Sequence, residues 1–138
     1  MIDSKKRILF ICTHNSARSQ MAEAYVNSML GEKYSASSAG TKPSVVNPFA
    51  IIVMKEIGVD ISMARSKSLD EFRDVGFDYV VTVCSDAEDI CPFFPGKKHI
   101  HRSFKDPSAS SGIEEVKLNA FRKSRDEIIA WIGKTFKE

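Results

Sequence analysis

A chain of 138 residues has room for one domain and one core, so residues 1–138 are expected to fold as a single unit and to act as a monomer. With 43% hydrophobic and 28% charged residues and a net charge of +2, the composition is that of a soluble globular protein, and no basic run interleaved with aromatics marks a nucleic-acid surface. No apolar run reaches the length of a membrane span. The run after Lys5-Lys6 is too short for a signal-peptide core and is followed by no small-residue cleavage site, so a cytoplasmic setting without membrane contact is expected.

In chain order, residues 7–11 (RILFI) read as a buried strand. Residues 18–30 read as a helix whose face carries Met21, Ala22, Tyr25, Val26 and Met29, with Gly31 placed to end it. Residues 33–38 suit a second strand, and Gly40 opens a loop. Asn47-Pro48 predicts an N-cap with proline in the first turn of a helix that runs to about Ile57 and stops at Gly58. A short helix is expected at Asp70–Arg73. Residues 77–84 (FDYVVTVC) are the clearest strand, and their continuous apolar character predicts a sheet covered on both faces. Lys98–Arg102 is a weaker strand, Ser108–Gly112 a polar loop, and residues 114–137 a helix with Leu118, Phe121, Ile128, Ile132 and Phe136 on one stripe. Strands alternating with helices predict an α/β domain, a four-stranded parallel sheet with helices on both faces.

The first strand delivers Cys12 to the mouth of the first helix, with Arg18 closing the loop between them. Backbone N–H groups of such a loop converge, and the helix N-terminus adds partial positive charge, so Thr13, His14, Asn15, Ser16, Ala17, Arg18 and Ser19 form a candidate nest for a tetrahedral oxyanion. The same field favours the Cys12 thiolate, Ser19 can bond its sulfur, and Arg18 can offer paired donors to two oxyanion oxygens. The loop holds no glycine, so Asn15 is the residue expected to accept a left-handed backbone. His14 is expected to point outward and shape the entrance.

Cys12-Thr-His-Asn-Ser-Ala-Arg18-Ser19, after the first strand, resembles the oxyanion loop of the low-molecular-weight protein tyrosine phosphatase superfamily. That family takes its general acid from an Asp-Pro loop, and Asp106-Pro107 matches. The resemblance implies the phosphotyrosine protein phosphatase I-like fold, with Cys12 as nucleophile, Arg18 as oxyanion ligand and Asp106 as proton donor.

A phosphatase needs one cysteine, and this chain has three. Arsenate has the shape and charge of phosphate but can be reduced, and two thiols can supply the two electrons while forming a disulfide. Cys84 ends the strongest strand, on the side of a parallel sheet where ligands bind, and Cys91 follows in a polar segment. Were 84–91 helical, the two cysteines would stand ~10 Å apart along its axis, beyond the roughly 7 Å that a disulfide spans, so pairing them requires the segment to unwind.

Together with QMAE after the loop, SAG at 38–40, NPFA at 47–50, DIS at 60–62 and VVTVCSDA, these cysteines make the chain similar to the thioredoxin-coupled arsenate reductases. That resemblance implies arsenate as substrate, with phosphate or sulfate as mimics. Cys12 attacks, Cys84 resolves the adduct, Cys91 carries the disulfide outward, and thioredoxin reduces it, with no tightly bound cofactor and no metal required. Relatives often carry another loop cysteine where this chain has Ala17. Some relatives bind potassium through residues matching Asn15, Glu23 and Ser38; at the fourth place stands Lys67, whose ammonium is expected to replace the ion.

Three other readings compete. A plain phosphatase would use Cys12, Arg18 and Asp106 alone, although Ser108, Ala109 and Ser110 stand where family phosphatases place tyrosines. A metal module would use Cys84, Cys91, His99 and His101, whose spacing lies outside the usual zinc patterns. A redox sensor would leave Arg18 and Asp106 without a task.

Overall fold

A computed structural model of the chain describes residues 5–83 and 94–136. Strands β1 (Lys6–Ile11), β2 (Tyr34–Ala39), β3 (Tyr79–Thr82) and β4 (Lys98–His101) form one sheet in the order β2-β1-β3-β4, with every neighbouring pair parallel. Helices α1 (Arg18–Met29), α2 (Pro48–Lys55) and α3 (Glu114–Thr135) and two 3-10 turns, Leu69–Phe72 and Pro107–Ala109, complete the described elements.

The central strands β1 and β3 carry apolar runs because both faces of the sheet are covered there, whereas the edge strands β2 (YSASSA) and β4 (KHIH) are more polar. Ile8 and Phe10 of β1 join Met21, Ala22 and Val26 of α1, Val53 and Met54 of α2 and Phe121, Ile128 and Ile132 of α3 in one cluster. Leu9 and Ile11, the alternate residues, join Leu69 of the first 3-10 turn with Phe77, Val80 and Phe94 in a second. All three α-helices thus share one face, and on the other the described cover is the 3-10 turn and its neighbours.

Local signals place the element ends. Asn47 Oδ1 accepts from the N–H of Phe49 at 2.8 Å, so Asn47 caps α2 ahead of Pro48 as the sequence predicts. α2 ends at Lys55, and a paired closure follows: Gly58 at φ 82 donates to Lys55 O at 3.0 Å and Val59 to Met54 O at 3.0 Å. Only glycine adopts that backbone without strain. Met29 departs from expectation. It lies on the predicted stripe of α1 but is 50% exposed. Leu30 packs on the core instead. Among the described residues no helix is long and apolar enough to cross a membrane.

The strand order locates the site. From β1 the chain crosses to β2 on one side, while β3 lies on the other. A crevice opens beyond the carboxyl ends of strands at such a switch point. Cys12 follows β1 directly.

A charge cluster clamps α3 to the end of α2. Arg125 Nη1 donates to Glu56 Oε1 and to Val53 O, both at 2.8 Å, and Arg122 Nη2 reaches Glu56 Oε2 at 2.8 Å. The hydrogen bond from Arg122 is the largest cause holding the Glu56 carboxyl below its usual range, and Arg125 adds to it. A lowered folded-state value contributes stability above the unfolded value, lost as pH falls through the folded one. Glu56→Gln is therefore expected to melt at a lower temperature than wild type at pH 7, with the difference shrinking as pH falls below the ordinary glutamate range. Thermal denaturation over a descending pH series checks this.

Candidate active site

The loop between β1 and α1 is built so that its carbonyls turn away from its interior. Thr13 O accepts from Lys42 N at 2.9 Å, His14 O from Ser66 Oγ at 2.8 Å, and Ser16 O from Asn47 N at 2.9 Å. Asn15 O accepts from Gln20 Nε2 at 3.2 Å. Because C=O and N–H point opposite ways across a planar peptide, carbonyls drawn outward aim the amides inward. Asn15 has φ 49, the one non-glycine residue with positive φ among those described, as the glycine-free loop requires. Ala17 precedes α1 without a side-chain cap, so the first-turn N–H groups receive no bond from its side chain and face the loop's end.

Cys12 lies at the base, 2% exposed, with Sγ 2.8 Å from Ser19 Oγ. The direction of that bond follows from its neighbours. The N–H of Lys67 can only donate, so the Asn15 atom 2.8 Å from it is the oxygen, Oδ1. Asn15 Nδ2 then donates to Ser19 Oγ at 2.8 Å, and the Ser19 proton is left to point at sulfur. Gln20 Nε2 adds a donor to Asn15 Oδ1 at 2.9 Å and also ties Arg65 O at 2.9 Å. The sulfur thus has a hydroxyl hydrogen bond at the base of the loop.

Arg18 is buried at the start of α1, 4% exposed. Its Nη1 donates to Phe104 O at 3.1 Å, and its Nη2 lies 3.7 Å from Asp106 Oδ2. The residue that closes the loop thereby meets the residue of the Asp-Pro turn. Asp106 caps that turn, with Oδ1 accepting from Ser108 N at 2.9 Å and Ser108 Oγ at 2.7 Å. His14 is exposed, with Nδ1 3.0 Å from Lys42 O.

Beside the loop, Glu23 Oε1 accepts a short hydrogen bond from Ser38 Oγ and lies 3.5 Å from Lys67 Nζ, which also donates to Arg65 O at 2.9 Å. Lys67 therefore turns inward, its side chain 13% exposed, and meets Glu23, the carboxylate that Ser38 also bonds; its backbone reaches Asn15. Cys84 and Cys91, and the unwinding expected of the segment between them, lie outside the described residues. His99 Nε2 lies 2.6 Å from Phe94 O and His101 Nδ1 lies 2.7 Å from Thr82 Oγ1, both side chains being exposed.

Two participants escape a reading of the sequence. Gly40 reads there as the start of a loop and the last residue of the SAG motif, with no role assigned to it. A Cβ at position 40 would stand 2.5 Å from Thr13 O, 2.7 Å from Cys12 O and 2.9 Å from Asn15 N, so only hydrogen fits under the oxyanion loop. Gln20 occupies the first turn of α1 yet is 2% exposed, and between Arg18-Ser19 and Met21-Ala22-Glu23 no local signal marks it as buried.

A buried thiol at a strand-to-helix loop, an arginine closing that loop and an aspartate brought against it on this sheet define a phosphatase-like cysteine domain. Residues 7–133 match the low molecular weight phosphotyrosine protein phosphatase family, and the chain belongs to it. It is 46% identical to an arsenate reductase of Halalkalibacterium halodurans over 98% of this chain and 97% of that one. A solved structure described as an arsenate reductase in the phosphate binding state superposes with a TM-score of 0.72 at 29% identity, covering 94% of this chain and 98% of that chain. A thioredoxin-dependent arsenate reductase of Corynebacterium glutamicum superposes with a TM-score of 0.64 at 30% identity, covering 98% of this chain and 65% of that chain.

Gly40→Ala is expected to keep the far-ultraviolet circular dichroism of the wild type but to weaken phosphate binding about tenfold or more, because an inserted methyl must displace loop backbone. Isothermal titration with inorganic phosphate checks this.

Proposed function

We propose that this protein reduces arsenate to arsenite by a relay of three thiols, with thioredoxin as the external reductant and the cytoplasm as its setting. The observation that carries the reading is the meeting of Cys12, Ser19, Arg18 and Asp106 around one loop. The likeness to arsenate reductases over nearly the whole chain supports it, as do the two further cysteines that a phosphatase cycle would leave idle.

The Cys12 thiolate attacks arsenic, held by the loop amides and Arg18. One As–O bond breaks, and the departing oxygen takes a proton from Asp106 and leaves as water. The Cys84 thiolate then attacks Cys12 Sγ. The S–As bond breaks with its electron pair passing to arsenic, so As(V) becomes As(III), arsenite leaves, and Cys12 and Cys84 form a disulfide. Cys91 attacks Cys84, the Cys12 thiolate is released, and the Cys84–Cys91 disulfide is reduced by the dithiol of thioredoxin.

Wild type is expected to oxidise NADPH in an arsenate-dependent manner with thioredoxin and thioredoxin reductase, while Cys84→Ser and Cys91→Ser stop. Aryl phosphate hydrolysis by all three proteins without arsenate reduction would make the chain a phosphatase instead.

The Lys67 ammonium occupies the role of a bound cation beside the loop, a fixed positive charge on Glu23. Activity and melting temperature are accordingly expected to be the same in potassium as in sodium at equal ionic strength. A clear gain in potassium would show that an ion still binds there.

A further inference from the structure

We propose that Ser108 is the positioning residue for Asp106, keeping its carboxyl turned toward the oxyanion loop with the transferable proton on Oδ2. This rests on the role of Asp106 as proton donor in the function proposed above.

The two carboxyl oxygens have unlike surroundings. Oδ1 accepts twice from Ser108, from the backbone N–H at 2.9 Å and from Oγ at 2.7 Å. The backbone N–H can only donate, so a proton on Oδ1 would meet it with hydrogen against hydrogen, while the hydroxyl bond holds the carboxyl in its rotation. Oδ2 is the oxygen that faces Arg18, at 3.7 Å from Nη2. Arg18 also holds Phe104 O at 3.1 Å, two residues before Asp106. The arginine thus sets where the turn stands, and Ser108 sets how the carboxyl is rotated within it.

That rotation has a competitor. On the α3 side of the turn lies a cavity of about 150 Å³, lined by Asp106 together with Lys105, Lys123, Ser124 and Glu127. A carboxylate released from Ser108 Oγ finds open space there, with Lys105 and Lys123 among the lining residues. Opposite charge draws it away from the loop, while Glu127 opposes that move. The backbone N–H of Ser108 survives any substitution other than proline, so the hydroxyl is the part of the tether that the side chain supplies.

A hydroxyl that only stiffened the turn would act on folding whatever stood at position 106. One that acts through Asp106 has an effect only while the carboxyl is present. The test is single turnover of arsenate by fully reduced enzyme, which needs no thioredoxin, in wild type, Ser108→Ala, Ser108→Thr, Asp106→Asn and the double variant Asp106→Asn with Ser108→Ala. Ser108→Ala is expected to lower the rate constant about fivefold or more with half-saturating arsenate unchanged within about twofold. Ser108→Thr, which retains the hydroxyl, is expected to restore the rate. In the Asp106→Asn background, Ser108→Ala is expected to change nothing further. A wild-type rate in Ser108→Ala, or an equal loss in both backgrounds, overturns the positioning role. Wild-type enzyme that releases no arsenite overturns the reductase reading itself and is a distinct result.

Discussion

One side-chain amide ties the site together. Asn15 receives the N–H of Lys67 on its oxygen and donates a hydrogen bond from its nitrogen to Ser19, whose own proton then faces the Cys12 sulfur. The polarity of that chain is dictated at its far end by a backbone group that can only donate. Asn15 is also the residue that takes the left-handed turn, and it is fully buried. Its side chain therefore fixes the backbone curvature of the loop and the electrostatics at the thiol together. Breaking either hydrogen bond would strand a buried polar group, at a cost of about 1–3 kcal/mol.

The loop owes its shape to segments that do not belong to it. Residues 42–47 run past it and draw out the carbonyls of Thr13, His14 and Ser16, with Ser66 assisting at His14. Gly40 and Ser68 pair as a short parallel bridge, which carries Lys67 to Asn15. The close approach at Gly40 lets that layer sit directly beneath the loop. A parallel sheet makes this possible, because the ends of β1 and β2 emerge side by side in register, Ile11 opposite Ala39.

Charge around the loop is arranged in two pairs. Arg18 and Asp106 face each other where the oxyanion would sit, loosely enough at 3.7 Å for an incoming anion to take the arginine's donors. Lys67 and Glu23 lie beside the loop, with Ser38 on the same carboxylate oxygen. In the proposed reaction the first pair serves chemistry, while the second holds the frame. Both join residues far apart in sequence, so each also locks the tertiary arrangement that creates it.

The sequence by itself determined the features that depend on a few neighbouring residues. The thiol-bearing loop between β1 and α1, the left-handed turn at Asn15, the cap at Asn47-Pro48 and the stop at Gly58 all follow from local backbone preference and side-chain reach. The apolar run of β3 likewise announced a sheet covered on both sides. Only the tertiary structure decided which way Lys67 points, why position 40 tolerates no side chain, that Gln20 braces Asn15 from inside, and which oxygen of Asp106 is bound by Ser108. Most of these turn on strand order and on contacts such as that between Asn15 and Lys67, 52 positions apart, and no local pattern encodes the distance between two side chains that only a folded sheet brings together.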